Sequence, residues 1–201
     1  FCCPGRYLDD STIEIVSKKV KLFQLWSSGF DKFNISGCEK FGVAVCNNGG
    51  ANSTSVAEHT VMLVLAGSRG LNECLNRVKK GLWAGNRHGL DYQTLMNREI
   101  GIIGLGNIGK KVAARLYAFG CRLSYFDVRR NLEAEHQLGL TFKPLEELCA
   151  IADIITLHLH ANAQTENLLS RELLESTKSG VRIVNVSRAQ LIDQDALIDG
   201  L

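Results

Sequence analysis

The stretch Gly104-Leu105-Gly106-Asn107-Ile108-Gly109 constrains this chain more than any other. It stands between an apolar run, Glu99-Ile100-Gly101-Ile102-Ile103, and a helical pattern that continues to Phe119. Glycines at that spacing predict a tight turn from a strand into a helix. Gly104 can take the turn's dihedrals, Gly106 has no side chain to hold a bound group off the backbone, and Gly109 lets the helix approach the strand. The first helical amides, those of Asn107 and Ile108 among them, lack partners within the helix. The turn therefore offers donors, and the positive end of the helix dipole, to an anion such as a diphosphate. The dipole itself contributes only about 0.3 to 1 kcal/mol. Packing alone also produces glycine-rich turns, so the six residues by themselves leave both readings open.

The residues beyond the turn narrow the choice. Ile108, Val112, Leu116 and Phe119 recur at helical spacing, with Lys110, Lys111 and Arg115 between them, and Gly120 stands where a helix end favours glycine. A second apolar run, Arg122 to Phe126, ends in Asp127. That is about 20 residues past the turn, where a dinucleotide-binding unit places an acid on the adenosine ribose. An ordinary turn aspartate is the alternative. On the first reading the ribose hydroxyls gain about 1.5 to 3 kcal/mol from the charged acceptor, while a 2′-phosphate at ~4 Å meets a repulsion of about 4 kcal/mol. NAD is thus expected, with NADP less favoured. Arg129 and Arg130 qualify this, since a nearby arginine can accommodate the phosphate; a solvated turn is the preferred reading of the pair.

The chain has 201 residues, 45% of them apolar and 22% charged, a composition that suits a globular protein, here read as two domains. A net charge of +2 gives no electrostatic case for nucleic acid or an anionic membrane, and Lys18-Lys19 and Lys79-Lys80 read as solvated helix faces. The longest apolar run, Val61 to Ala66, is far short of the ~20 residues of a spanning helix. The cysteines, Cys2, Cys3, Cys38, Cys46, Cys74, Cys121 and Cys149, are odd in number and include no C-x-x-C pair, which argues against a disulfide framework or a zinc site. No metal site is expected, and the thiols read as reduced and mostly buried in a cytoplasmic chain. Phe1-Cys2-Cys3-Pro4 reads as the end of a strand whose start precedes the sequence given.

Residues 1 to about 70 alternate a helix (Ser11 to Lys19), a strand (Lys21 to Leu25), a turn at Ser27-Ser28-Gly29-Phe30-Asp31, a short helix and a strand (Val43 to Cys46). This predicts an α/β layer. Beyond the loop Asn47-Asn48-Gly49-Gly50, Ser53 or Ser55 can cap a helix reaching Ser68. That helix is apolar nearly all round, so it is expected to be buried and to cross between domains, with Glu58 and His59 read as a packed core pair rather than catalytic groups. After a polar stretch from Lys79 to Gly89, the runs Ile100 to Ile103, Arg122 to Phe126, Ile154 to His158 and Arg182 to Val186 follow at βα spacing. They are continuous rather than alternating, as in a parallel sheet covered on both faces. Helices Pro144 to Cys149 and Ser170 to Ser176 lie between them.

In such a sheet ligands bind beyond the carboxyl ends of the strands. His158-Leu159-His160, Asn185-Val186-Ser187-Arg188 and Ser27-Ser28-Gly29 occupy such positions. The Arg188 guanidinium can hold a carboxylate through two parallel hydrogen bonds and polarise an adjacent carbonyl, although position alone fits a surface arginine equally well. Neither His158 nor His160 has a carboxylate partner within reach of the spacing.

Taken together, Ser28-Gly29-Phe30-Asp31, Ser53-Thr54-Ser55-Val56-Ala57-Glu58, Gly101 through Gly109 and Ile183-Val184-Asn185-Val186-Ser187-Arg188-Ala189 resemble the D-2-hydroxyacid dehydrogenase family across essentially the whole chain. The resemblance implies a Rossmann-type doubly wound parallel sheet over residues 71–201, and a truncated flavodoxin-like α/β substrate domain over 1–70 with an interdomain helix at 53–68. It implies that Arg188 is the catalytic, carboxylate-orienting arginine and that Ser28 and Gly29 give backbone amides to a small 2-hydroxy or 2-keto acid. Ser53, Gly104, Gly106, Asn107, Ile108, Gly109, Asp127, His158, Leu159, Val186 and Ser187 are then NAD contacts, and the parent is a homodimer. Ala189 stands where the family usually has glycine, and His160 where it often has proline. The family's downstream glutamate and histidine, which handle the proton, have no counterpart before Leu201, so these residues alone are expected not to turn over. A corepressor-like NAD(H) sensor of the same fold and a formate or phosphite dehydrogenase are the alternatives.

Overall fold

The computed structural model describes residues 2–3, 7–82 and 92–201. The expected polar stretch from Lys79 to Gly89, and Phe1 and Pro4 of the opening segment, lie wholly or partly outside them. The chain divides into two units, Phe1–Ser53 and Thr54–Leu201.

The first unit runs β1 (Cys2–Cys3), α1 (Asp10–Ser17), β2 (Leu22–Leu25), α2 (Ile35–Lys40) and β3 (Ala44–Cys46), with the strands parallel in the order β1-β2-β3. Its helices begin where side chains replace missing backbone partners. The Asp9 carboxylate accepts the Thr12 N–H at 2.7 Å, and the Asn34 side-chain oxygen accepts the Gly37 N–H at 2.9 Å. The Asn34 amide also donates to the Leu8 carbonyl at 3.0 Å and to Asp10 at 2.9 Å, which ties the two helix starts together. Ile13, Phe23, Leu25, Phe33, Cys38 and Val43 form the core, with Phe23 and Phe33 edge to face at 5.7 Å.

The second unit holds α3 (Ser53–Ser68) from Thr54 onward, α4 (Leu71–Lys79), β4 (Glu99–Ile103), α5 (Asn107–Tyr117), β5 (Arg122–Phe126), α6 (Leu132–Leu138), β6 (Thr141–Phe142), α7 (Leu145–Ile151), β7 (Ile154–Leu157), α8 (Arg171–Glu175), β8 (Arg182–Asn185) and α9 (Gln194–Asp199). Its sheet is parallel throughout, in the order β6-β5-β4-β7-β8. The chain lays β4, β5 and β6 toward one edge, then returns past β4 to lay β7 and β8 toward the other. The direction reverses between β4 and β7, which makes the doubly wound fold expected from the sequence.

Both faces of this sheet are covered. Ile100, Ile102, Tyr125 and Ile154 pack with Ala57, Val61 and Val64 of α3 and Val112 and Leu116 of α5; Ile103, Ile155 and Leu157 pack with Leu145, Leu148 and Cys149 of α7 and with Leu191. Each buried Val, Leu or Ile side chain contributes about 1.5 to 3 kcal/mol. Among the described residues no helix is long and apolar enough to cross a membrane.

Several sequence expectations need correction. The division falls at Ser53 and Thr54, before the helix placed between domains, because the buried face of α3 belongs to the second unit's core. That helix buries one face only: Met62 is half exposed, and Glu58 and His59 are exposed, with Glu58 paired to Arg115 at 3.2 Å rather than packed in a core. Phe119 lies beyond the end of α5 and is exposed, since the chain turns at Gly120 with φ +69°. Cys38 and Cys149 are buried, while Cys46 is exposed and Cys74 and Cys121 are intermediate. The strands β7 and β8 stop one residue earlier than expected, at Leu157 and Asn185.

Candidate functional site

The glycine turn sits at the point of reversal, between β4 and α5. Gly104 has φ +95°, which L side chains rarely adopt, and a Cβ there would lie 2.7 Å from Leu159 Cδ2 and 2.8 Å from the His158 carbonyl oxygen. The turn is thus pressed against the chain leaving β7. A Cβ on Gly109 would run into the Gly104 carbonyl oxygen, so this glycine closes the helix onto the strand. Gly106 is different. A Cβ there would meet nothing within 4 Å, and it is exposed. It is also the N-cap of α5, and no side chain caps the helix. The amides of Asn107 and Ile108 therefore begin the helix with no side-chain partner, and the space before them is open.

Asp127 is bound into this turn. One carboxylate oxygen accepts the Leu105 N–H at 2.7 Å and the other accepts the Arg129 N–H at 3.2 Å. The carboxylate is held at the carboxyl end of β5, beside the glycines, with half-buried exposure that leaves it able to accept further donors. Across the reversal, His158 follows β7. Both of its ring nitrogens are buried without a partner, and burial pushes the imidazole pKa down to about 4, so the ring is neutral. Two residues earlier on the same strand, the buried Thr156 hydroxyl is likewise without a partner. Leu159 packs with the β7 face of the core.

The loop after β8 is latched to β7. The Ser187 hydroxyl donates to the Leu157 carbonyl at 2.8 Å, the Ser187 N–H donates to the Asn185 side-chain oxygen at 2.9 Å, and the Asn185 amide donates to the Arg188 carbonyl at 2.8 Å. Val186 packs on the core, and Arg188, half buried, directs Nη1 to the Ser187 carbonyl at 3.0 Å. Gly104, Gly106, Asn107, Ile108, Gly109, Asp127, His158, Leu159, Val186, Ser187 and Arg188 thus form one rim along the carboxyl ends of β5, β4, β7 and β8.

Ser28, Gly29 and Ser53 lie in the first unit. There the loops after β2 and β3 are stitched together. The Ser28 hydroxyl donates to the Asn48 carbonyl at 2.8 Å, and the Asn47 amide donates to the Ser28 carbonyl at 2.7 Å. Among the described residues the Ser28 and Gly29 amides have no backbone acceptor. Ser53 opens α3 and is buried, its N–H donating to the Gly50 carbonyl at 3.1 Å.

Two groups that hold the rim are not among the site residues expected from the sequence. Asn185 braces Arg188 through its amide; an asparagine at a strand end, two residues before a serine, is a signal that could have found it. Glu135, on α6, accepts from Tyr125 and Arg130 at the loop that carries Asp127. No local pattern marks it, because its partners come from a strand and a turn.

A model of the D-isomer specific 2-hydroxyacid dehydrogenase NAD-binding domain matches residues 61–201. D-3-phosphoglycerate dehydrogenase of Bacillus subtilis (strain 168) is 35% identical over 173 residues, 86% of this chain and 33% of that protein. D-lactate dehydrogenase from Aquifex aeolicus, solved with NAD and lactic acid, superposes with a TM-score of 0.84 at 32% identity, over 92% of this chain and 56% of that one. An acyclic imino acid reductase solved with NADPH and D-Arg gives a TM-score of 0.84 at 27% identity, over 96% of this chain and 62% of that one. The chain spans about a third of the length of the phosphoglycerate dehydrogenase it matches. Because the domain model runs from within α3 to the last residue of the chain and takes in every strand of the second sheet, the chain belongs to the D-isomer specific 2-hydroxyacid dehydrogenase family.

Proposed function

We propose that this chain is the cofactor-binding part of an NAD-dependent D-2-hydroxyacid dehydrogenase, acting between nicotinamide and C2 of a small 2-hydroxy or 2-keto acid. One observation carries the reading: the glycine turn is open at Gly106 and is anchored by the Leu105 N–H to Asp127. That arrangement suits a pyrophosphate on the helix start and a ribose on the carboxylate. NAD, when bound, supplies the hydride acceptor or donor. The Asn107 and Ile108 amides bind the diphosphate, the Asp127 carboxylate accepts from the ribose, and the buried neutral His158 and the Val186-Ser187 segment border the rest of the cofactor. Arg188 orients the substrate carboxylate and polarises its neighbouring carbonyl.

The reading extends to assembly. Leu71, Leu75 and Val78 of α4 recur at helical spacing and are all exposed, as is Met62 of α3. A stripe of this kind suits a homodimer contact in the intact cytoplasmic enzyme.

The test is a fluorescence titration of the chain with NADH, followed by addition of glyoxylate, hydroxypyruvate or pyruvate. The reading predicts NADH binding, and a 2-keto acid that perturbs the bound NADH in the native chain but not in Arg188→Met. Absence of NADH binding, or an equal 2-keto acid response in Arg188→Met, contradicts it.

A further inference from the structure

The loop that carries Asp127 also carries Arg129 and Arg130, and an arginine near the ribose is what a 2′-phosphate requires. Arg130 is engaged elsewhere. Its Nε donates to Glu135 Oε1 at 2.8 Å and its Nη2 to Oε2 at 2.9 Å, a bidentate pair, and its guanidinium lies 5.9 Å from the centre of the Phe142 ring. Phe142 belongs to β6, which flanks β5 on the side opposite β4, whereas the glycine turn follows β4. The guanidinium is therefore held on the far side of β5 from the turn.

The holder is itself fixed. The Tyr125 hydroxyl donates to Glu135 Oε1 at 2.7 Å and accepts the Asn131 N–H at 2.7 Å, and the Tyr125 ring is fully buried against Phe142, edge to face at 5.4 Å. The Glu135 side chain is 15% exposed while that of Arg130 is 59% exposed, so the carboxylate is the anchored partner and the guanidinium the one free to leave. An exposed ion pair is weak by itself. Here the planar two-bond geometry and the tyrosine orient the acceptor before the arginine arrives.

We propose that Glu135 is a specificity-determining positioning residue: by holding Arg130 toward β6 it withholds from the adenosine ribose one of the two arginines of this loop that could meet a 2′-phosphate, and so reinforces the preference for NADH set by Asp127. This rests on the dinucleotide reading of the glycine turn. The fold itself admits either cofactor, since one structural neighbour was solved with NAD and another with NADPH.

The experiment titrates NADH and NADPH into the native chain, Glu135→Gln, Arg130→Ala and the double variant. Glutamine keeps an acceptor for Tyr125 but removes the charge that holds the guanidinium. The expected result is an NADPH affinity raised by about tenfold relative to NADH in Glu135→Gln, equivalent to about 1.4 kcal/mol. The gain should vanish in the double variant, and Arg130→Ala alone should bind both dinucleotides as the native chain does. An unchanged ratio in Glu135→Gln with NADH still bound overturns the proposal, as does a gain that survives in the double variant. If Glu135→Gln does not fold, Arg130→Ala decides: weakened NADPH binding there means Arg130 already serves the phosphate, and the proposal fails. A native chain that binds neither dinucleotide removes the underlying reading instead.

Discussion

The Asp127 carboxylate accepts the backbone N–H of Leu105 at 2.7 Å, joining the end of β5 to the middle of the glycine turn that follows β4. This bond places the acid beside the turn without help from a ligand. It also satisfies a buried backbone donor, since Leu105 is 4% exposed. Asp127→Ala should therefore act twice. Loss of a charged acceptor for a buried N–H costs about 1 to 3 kcal/mol, which lowers the melting temperature by roughly 2 to 4 °C per kcal/mol, and NADH affinity should fall by at least about tenfold. Calorimetry and NADH titration on one sample measure both. A variant that keeps native NADH affinity would place the ribose elsewhere.

The neutral His158 links stability to pH. Its folded pKa lies near 4 because of burial, below the ordinary value of 6.5, so the unfolded chain binds the proton more tightly. The contribution is fully present above about pH 6.5 and is lost as the pH falls toward 4. Against His158→Asn, which cannot titrate, the native chain should lose about 2 to 3 kcal/mol more between pH 7.5 and 4.5. Urea unfolding at the two pH values measures the difference, and parallel losses would mean the imidazole is not buried as described.

Ser187 sets the loop that carries Arg188. Removing its hydroxyl in Ser187→Ala leaves the Leu157 carbonyl without that donor, for a loss of about 1 to 3 kcal/mol. The melting temperature should fall, and the 2-keto acid response assigned to Arg188 should weaken with NADH binding less affected. Equal weakening of both would show that the latch serves the whole rim and not the arginine in particular.

How far the sequence discloses this architecture depends on who covers each element. The strands β4, β5, β7 and β8 are legible as unbroken apolar runs because helices bury both faces. The helix α4 buries no residue, so its apolar positions Leu71, Leu75 and Val78 mark no core face. The helix α6 buries only Ala134, so its Asn131 cap is a weak signal. At the candidate site, the glycines, Asp127 and Arg188 can be read from spacing and resemblance. The Leu105–Asp127 bond and the Ser187–Leu157 latch cannot, because both depend on which strands are neighbours. Glu58 misleads for a related reason: an apolar helix pattern does not say which of its faces a partner covers.

Gly109 should tolerate no side chain. A Cβ there meets the Gly104 carbonyl oxygen, and overpacking of that kind costs about 1 to 3 kcal/mol. Gly109→Ala should lower the melting temperature even without ligand, and differential scanning calorimetry of the apo protein measures this directly. An unchanged transition would mean that α5 need not approach β4 so closely.

Gly106 supplies the decisive contrast, since a Cβ there meets nothing in the protein and its φ of −77° suits any residue. If the open space before α5 is the seat of the pyrophosphate, a methyl group must fill it at the ligand's expense alone. NADH titration of Gly106→Ala, with its melting temperature recorded beside it, is the measurement. The account predicts a transition within about 4 °C of the native chain and NADH affinity at least about tenfold weaker; native affinity in the folded variant would contradict it.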